Sequence, residues 1–261
     1  IPPSVPRSWL QVRHRAVVVA APPVAVVAVV VAAAGDENNN QTEINTRMNQ
    51  PIYSRRPVNN SAIPDVIFLL LIANGAAYAL QQFFPGLVEG LFALQPLRAP
   101  PGYQFPPFLP WQLVTYGFLH DRHSLMHILF NMLMLWMFGR EIERLMGPRR
   151  FLTYYLVCVV GAGLTQLLVG VIQGWGVPTL GASGGVFGVF LAYGMAFPNR
   201  RVMLLFPPIP MKAKYFVILL GVFELSVGVG RVNNGIAHFA HLGGMLFGFA
   251  LIRYWGRTRQ H

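Results

Sequence analysis

A lone hydroxyl, Ser183, stands in the run Gly181-Ala182-Ser183-Gly184-Gly185-Val186-Phe187-Gly188, and two histidines, His238 and His241, open a later apolar run that carries Gly243, Gly244 and Gly248. A serine hydroxyl is a poor nucleophile until a base takes its proton, and imidazole, with an ordinary pKa near 6.5, is the usual base. His127 and Asn131 are four residues apart, on one face of a helix, and offer two donors of the kind that meet a developing oxyanion in a dry site. Phe187 lies one turn beyond Ser183 on the same face, where its ring can stack on the imidazole of His241. Each feature also has a plainer reading. His127 and Asn131 suit an interhelical hydrogen-bonded pair, and the spacings Gly181/Gly185, Gly184/Gly188 and Gly244/Gly248 suit close helix packing. Close packing of the two segments is also what a Ser183 to His241 hydrogen bond requires, so the readings reinforce one another.

An acid to complete a triad is harder to find. The chain has nine Asp and Glu residues. Asp121, Glu224 and, farther off in sequence, Glu89 fall toward the relevant side, but no spacing sets any of them beside His241, and the sequence favours a Ser-His dyad. A metal enzyme is the rival chemistry, because His120, His123 and His127 cluster with Asp121. His123 and His127 have the i,i+4 spacing of a zinc helix, but there is no HExxH pattern and Asp121 is the only carboxylate in the cluster, so no metal or other cofactor is expected.

These residues need elements to hold them, and composition says which kind. With 54% hydrophobic and 11% charged residues, the 261-residue chain has too little polar surface to cover a soluble globule. Recurrent apolar runs predict an all-α polytopic membrane protein with six transmembrane helices over residues 64–84, 124–145, 151–172, 182–197, 215–228 and 236–255. Residues 85–123, rich in Pro, Gly and aromatics, are expected to lie in the membrane interface. The net charge of +11 does not indicate a nucleic-acid partner, because Lys and Arg punctuate the gaps between apolar runs and suit anionic lipid head groups. The single cysteine, Cys158, excludes an intrachain disulfide framework.

Residues 1–63 read as a leader, and residues 1–47, with their Ala/Val-rich stretch, are expected to lie upstream of a working start at Met48. The domain proper is expected over 64–256, with 257–261 as a tail. Arg47, Arg55, Arg56, Arg140, Arg144, Arg149, Arg150, Arg200, Arg201, Lys212, Lys214, Arg253, Arg257 and Arg259 fall on one side of the six spans, against Arg98, Arg122 and Arg231 on the other. The positive-inside rule then puts both ends of the core in the cytoplasm. Ser183, His127, Asn131, His238 and His241 all come to the outer half of the bilayer, and a transporter, which needs a charged path across, is disfavoured.

WQLVTYGFLH (111–120), HILFN (127–131), GASGGVFG (181–188) and AHLGGMLFG (240–248), in that order, resemble the rhomboid family of intramembrane serine proteases. The resemblance implies a bacterial-type six-span bundle in the cell membrane that cleaves transmembrane protein clients, with a taste for small residues at the cut. It implies Ser183 as nucleophile, His241 as base, and His127, Asn131 and the Ser183 amide as oxyanion donors. It also implies that the loop and the fifth span cover and gate the site. Only His241 is followed by glycines as the family's base is, so His238 is expected in a supporting or water-facing role. Phe187 stands where tyrosine is frequent, Trp111-Gln112 replaces a Trp-Arg pair that could anchor the loop, and Glu143 resembles a structural glutamate. The alternative is a rhomboid-like protein that binds clients without cutting them; such proteins typically lack the serine or histidine that this chain keeps.

Overall fold

The computed structural model describes residues 29–30, 65–174, 176–204, 209–230 and 237–258. Apart from Val29–Val30, the expected leader lies outside the described residues, as do Arg231, Arg259 and the expected start of the last span at 236.

The chain is mostly helical. Strand β1 (Val29–Val30) comes first, followed by helices α1 (Asp65–Phe83) and α2 (Pro85–Phe92), then the short α3 (Gln112–Thr115) with its 3-10 extension Tyr116–Phe118. Helix α4 (Leu125–Met134) runs through a π turn, Leu135–Gly139, into α5 (Arg140–Met146). Then come α6 (Pro148–Gln173), α7 (Ser183–Ala196), strands β2 (Arg201–Leu204) and β3 (Pro210–Lys212), α8 (Ala213–Val229) and α9 (His238–Arg257). The expected spans therefore correspond to α1, α4 with α5, α6, α7, α8 and α9. The small antiparallel ribbon is a departure from an all-α chain. β2 pairs with both β3 and β1 in the basic gap between α7 and α8.

The 18-residue stretch Val66–Phe83 of α1 and the 26-residue α6 are each long and apolar enough to cross a bilayer, and only 28% and 39% of their most apolar windows is buried. A soluble core helix would be mostly covered, so these outward surfaces fit hydrocarbon. Helix α7 is shorter, at 14 residues, or about 21 Å against a hydrocarbon core of about 30 Å.

Glycines let three helices meet at backbone distance. A β-carbon on Gly244 of α9 would run into the backbone carbonyl of Gly184 on α7, and one on Gly188 would strike the Cys158 sulfur on α6. Gly243 and Gly248 abut Thr165 and the Tyr154 hydroxyl, both on α6. The seam expected between the fourth and sixth spans is thus shared. Gly244 serves α7, whereas Gly248 faces α6, because α9 lies in the groove between the two. Beneath it, the Phe138 ring of the π turn meets Phe190 and Tyr193 of α7 edge to face, at 5.0 and 4.8 Å between centroids.

The basic end of the bundle is closed by ion pairs and a cap. Arg200 reaches Glu141 at 3.4 Å. The Glu143 carboxylate accepts the Val66 and Ile67 amides of α1 at 3.1 Å each, satisfying a helix N-terminus that would otherwise be orphaned. That is a structural role, as the resemblance implied for Glu143. At the opposite end the 85–123 segment is stitched down. Leu94 and Thr179 exchange backbone hydrogen bonds at 2.9 Å, the Gly181 amide donates to Tyr116 O at 3.0 Å, and Gln81 and His120 bond reciprocally at 2.9 Å. Gln112 is fully buried, and its Oε1 accepts the amides of Gln95 and Leu109 at 3.2 and 3.1 Å. A neutral amide therefore anchors the loop where a cation was expected to be missed.

Candidate active site

Ser183 is the first residue of α7, where the amides of the first turn have no acceptor inside the helix and the helix dipole is positive. The link before it turns through Gly181, whose φ of 135° is open to glycine and strained for other residues. His241 sits one turn into α9, 8% exposed, with Nε2 2.8 Å from Ser183 Oγ. The helix contact at Gly244 and Gly184, one turn deeper, sets that distance. Phe187 lies flat against the His241 ring, 4.1 Å between centroids and 11° between planes, so the imidazole is held in one orientation.

His127 is on the first turn of α4. Its Nδ1 accepts the Asp121 amide at 3.2 Å, which leaves the neutral ring its proton on Nε2. A β-carbon built on Gly181 would lie 3.1 Å from that Nε2 and 3.5 Å from Ser183 Oγ, so the two groups flank one point. Asn131 is buried and donates one amide hydrogen to His127 O at 2.8 Å, the local bond of a helix i to i+4 pair. The His120 ring meets His127 edge-on at 5.1 Å. Burial first, and the His127 ring second, push His120 down to about 3, so it stays neutral.

One placement narrows a sequence expectation and another adds to it. Of the two roles expected for His238, supporting or water-facing, the second does not fit. His238 is 5% exposed, and its Nδ1 lies 2.6 Å from Glu224 Oε2. Glu224, buried on α8, also brings Oε2 to 3.0 Å from His241 Nδ1, so an acid does stand beside His241. That second contact is short but oblique, and His241 Nδ1 has no well-aligned hydrogen-bond acceptor among the described residues. A carboxylate in an apolar helix was the signal available in the sequence. What pairs it with α9 is the packing of α8 against α9, which spacing does not encode.

Metal chemistry was expected, if anywhere, at His120, His123 and His127. Among the described residues the donors that converge are instead those of Glu224, His238 and His241, within 4.8 Å of one another. Their 2.6 and 3.0 Å separations are tighter than the ~3.3 Å between tetrahedral zinc ligands at about 2.0–2.1 Å from the ion. The spacing is that of hydrogen bonding.

Residues 108–258, more than half of the chain, match the family described as the Rhomboid domain. The chain belongs to the rhomboid family. Among known proteins it is similar to rhomboid protease GluP of Bacillus subtilis, at 33% identity over 141 residues, 53% of this chain and 25% of that protein. Rhomboid protein 1, mitochondrial, of Saccharomyces cerevisiae is 28% identical over 134 residues, 51% of this chain and 38% of that one. Presenilin-associated rhomboid-like protein, mitochondrial, of Rattus norvegicus is 31% identical over 135 residues, 50% and 35% of the two chains. This rhomboid spans well under half the length of each of these relatives. The family includes a protease, and its membrane fold agrees with the outward apolar surfaces of α1 and α6.

Proposed function

We propose that this rhomboid is an intramembrane serine endopeptidase that hydrolyses a peptide bond in or beside a client's transmembrane helix. The observation that carries the reading is the 2.8 Å approach of His241 Nε2 to Ser183 Oγ at the start of α7. Ser183 Oγ attacks the carbonyl carbon as its proton passes to His241 Nε2, and the carbonyl π pair moves onto oxygen. The Ser183 amide, His127 Nε2–H and the second amide hydrogen of Asn131 are the donors available to that oxyanion. Collapse breaks the carbon–nitrogen bond, the leaving amine takes the proton from His241, and water repeats the sequence on the acyl-enzyme ester. No step calls for a cofactor.

The six helical passes are proposed to span the membrane, with residues 64–256 as the peptidase domain. Both core ends face the cytoplasm of a cell-membrane protein, and the site opens outward. The apolar outward faces and the basic end of the bundle support this arrangement; bacterial and mitochondrial proteins stand among the relatives. A short α7 starts below the bilayer surface, which fits a site reached by both a lipid-embedded client and water.

Cleavage of a single-span substrate in membranes tests the proposal. Wild type cuts it, Ser183→Ala and His241→Ala do not, and a fluorophosphonate labels wild type but not Ser183→Ala. Undiminished cleavage by Ser183→Ala would falsify the mechanism.

A further inference from the structure

We infer that Glu224 is a positioning residue for His241, and that His238 is the clamp holding its carboxylate in place; the inference rests on the Ser183–His241 peptidase reading. Glu224 is 5% exposed on α8, between the exposed apolar residues Val222, Phe223 and Leu225. A carboxylate buried at such a place is costly unless donors meet it. One nitrogen makes a hydrogen bond to it, His238 Nδ1 at 2.6 Å, and a second, His241 Nδ1, approaches the same oxygen obliquely at 3.0 Å.

The consequence lies in the tautomer. With its proton on Nδ1, toward the carboxylate, His241 presents a lone pair at Nε2, and the Ser183 hydroxyl donates to it across 2.8 Å. The other tautomer would set the Nδ1 lone pair against a carboxylate oxygen and a hydrogen against Ser183, leaving no base. Phe187 fixes the plane of the ring but treats both tautomers alike; Glu224 distinguishes them. The oblique approach to His241 leaves a buried N–H that a small tilt of the carboxylate satisfies. When Nε2 takes the serine proton, the imidazolium gains a negative partner on its far side. Glu224 itself takes up no proton and touches no substrate atom.

The division of labour between the histidines follows from distance. His238 makes the shorter bond, and it stands one turn before His241, so it holds Glu224 at the level of the base. Ser183, His241 and Glu224 thus come from α7, α9 and α8, and the line forms only where all three are packed.

The experiment uses full-length protein, a single-span substrate and two readouts. Glu224→Gln should lower kcat by roughly 10²- to 10⁴-fold, because an amide no longer selects the tautomer. KM should stay within about twofold, and Glu224→Asp should recover at least about tenfold of the loss. In ¹⁵N-histidine-labelled Ser183→Ala protein with Glu224 intact, His241 should carry its proton on Nδ1; this readout stands even where Glu224→Gln fails to fold. Cleavage by Glu224→Gln within about threefold of wild type, a KM effect with unchanged kcat, or an Nε2–H tautomer of His241 overturns the role of Glu224. If Ser183→Ala is inactive while Glu224→Gln is fully active, only this inference falls. Cleavage surviving in Ser183→Ala removes the peptidase reading and this inference with it.

Discussion

At the scale of single residues, Phe187 and His127 do different work beside His241. The Phe187 ring stacks on His241 at 4.1 Å, an aromatic contact worth about 0.5–1.5 kcal/mol, so Phe187→Ala should reduce kcat by roughly 3- to 10-fold while Phe187→Tyr, which keeps the ring, stays near wild type. In the proposed mechanism His127 supplies a donor where charge develops, and His127→Ala should cost about 10²–10³ in kcat with little change in KM. Steady-state cleavage of one substrate by the three variants separates the roles, and equal losses for Phe187→Ala and His127→Ala would contradict the assignment. Residue types alone made Ser183, His241, His127 and Phe187 legible, because each lies in a short local pattern whose helical spacing fixes a face. Glu224 was legible as an unusual acid and not as a partner. Its neighbours are His238 and His241, beyond the 231–236 connection, and only the docking of α8 on α9 brings them together.

At the scale of elements, the six helices read as spans were placed to within two or three residues at most ends, since apolar run length sets them, whereas the short α2 and α3 fall inside the 85–123 stretch read as a loop. The ribbon of β2 and β3 was not, because short strands in a basic gap leave no period to detect. Nor was the sharing of Gly244 and Gly248 between α7 and α6, because glycine marks a close approach without naming the partner. The same glycines yield a graded test. Ala at position 244 pushes its methyl into the Gly184 carbonyl, backbone against backbone, with no flexible side chain to give way. Overpacking typically costs about 1–3 kcal/mol, and Gly244→Ala, at the upper end of that range, should lose both thermal stability in detergent and cleavage, as α9 withdraws and the Ser183 to His241 distance grows. Gly75 on α1 has nothing within 4 Å of a built β-carbon, so Gly75→Ala should raise stability by about 0.5–1 kcal/mol and leave cleavage alone. Equal thermal shifts in the two proteins would show that the α7–α9 contact is looser than described.

At the scale of the whole molecule, charge and chemistry occupy opposite ends. The ion pair of Arg200 with Glu141 and the Glu143 cap on α1 mark one end, and Ser183, His127 and the pinned 85–123 segment mark the other. Basic residues crowd the first end, and the positive-inside rule is the ground on which the proposed orientation puts that end in the cytoplasm. The fully buried Cys158 makes the orientation measurable, because its thiol is out of reach of a polar reagent and the unaltered protein serves as its own blank. Leu97→Cys places a thiol at an exposed position on the site end, and Arg257→Cys places one at an exposed position at the end of α9. In intact bacterial spheroplasts a membrane-impermeant maleimide should label Leu97→Cys and spare Arg257→Cys until the membrane is opened. The reverse pattern would turn the site toward the cytoplasm, and with it the side from which water and client reach Ser183.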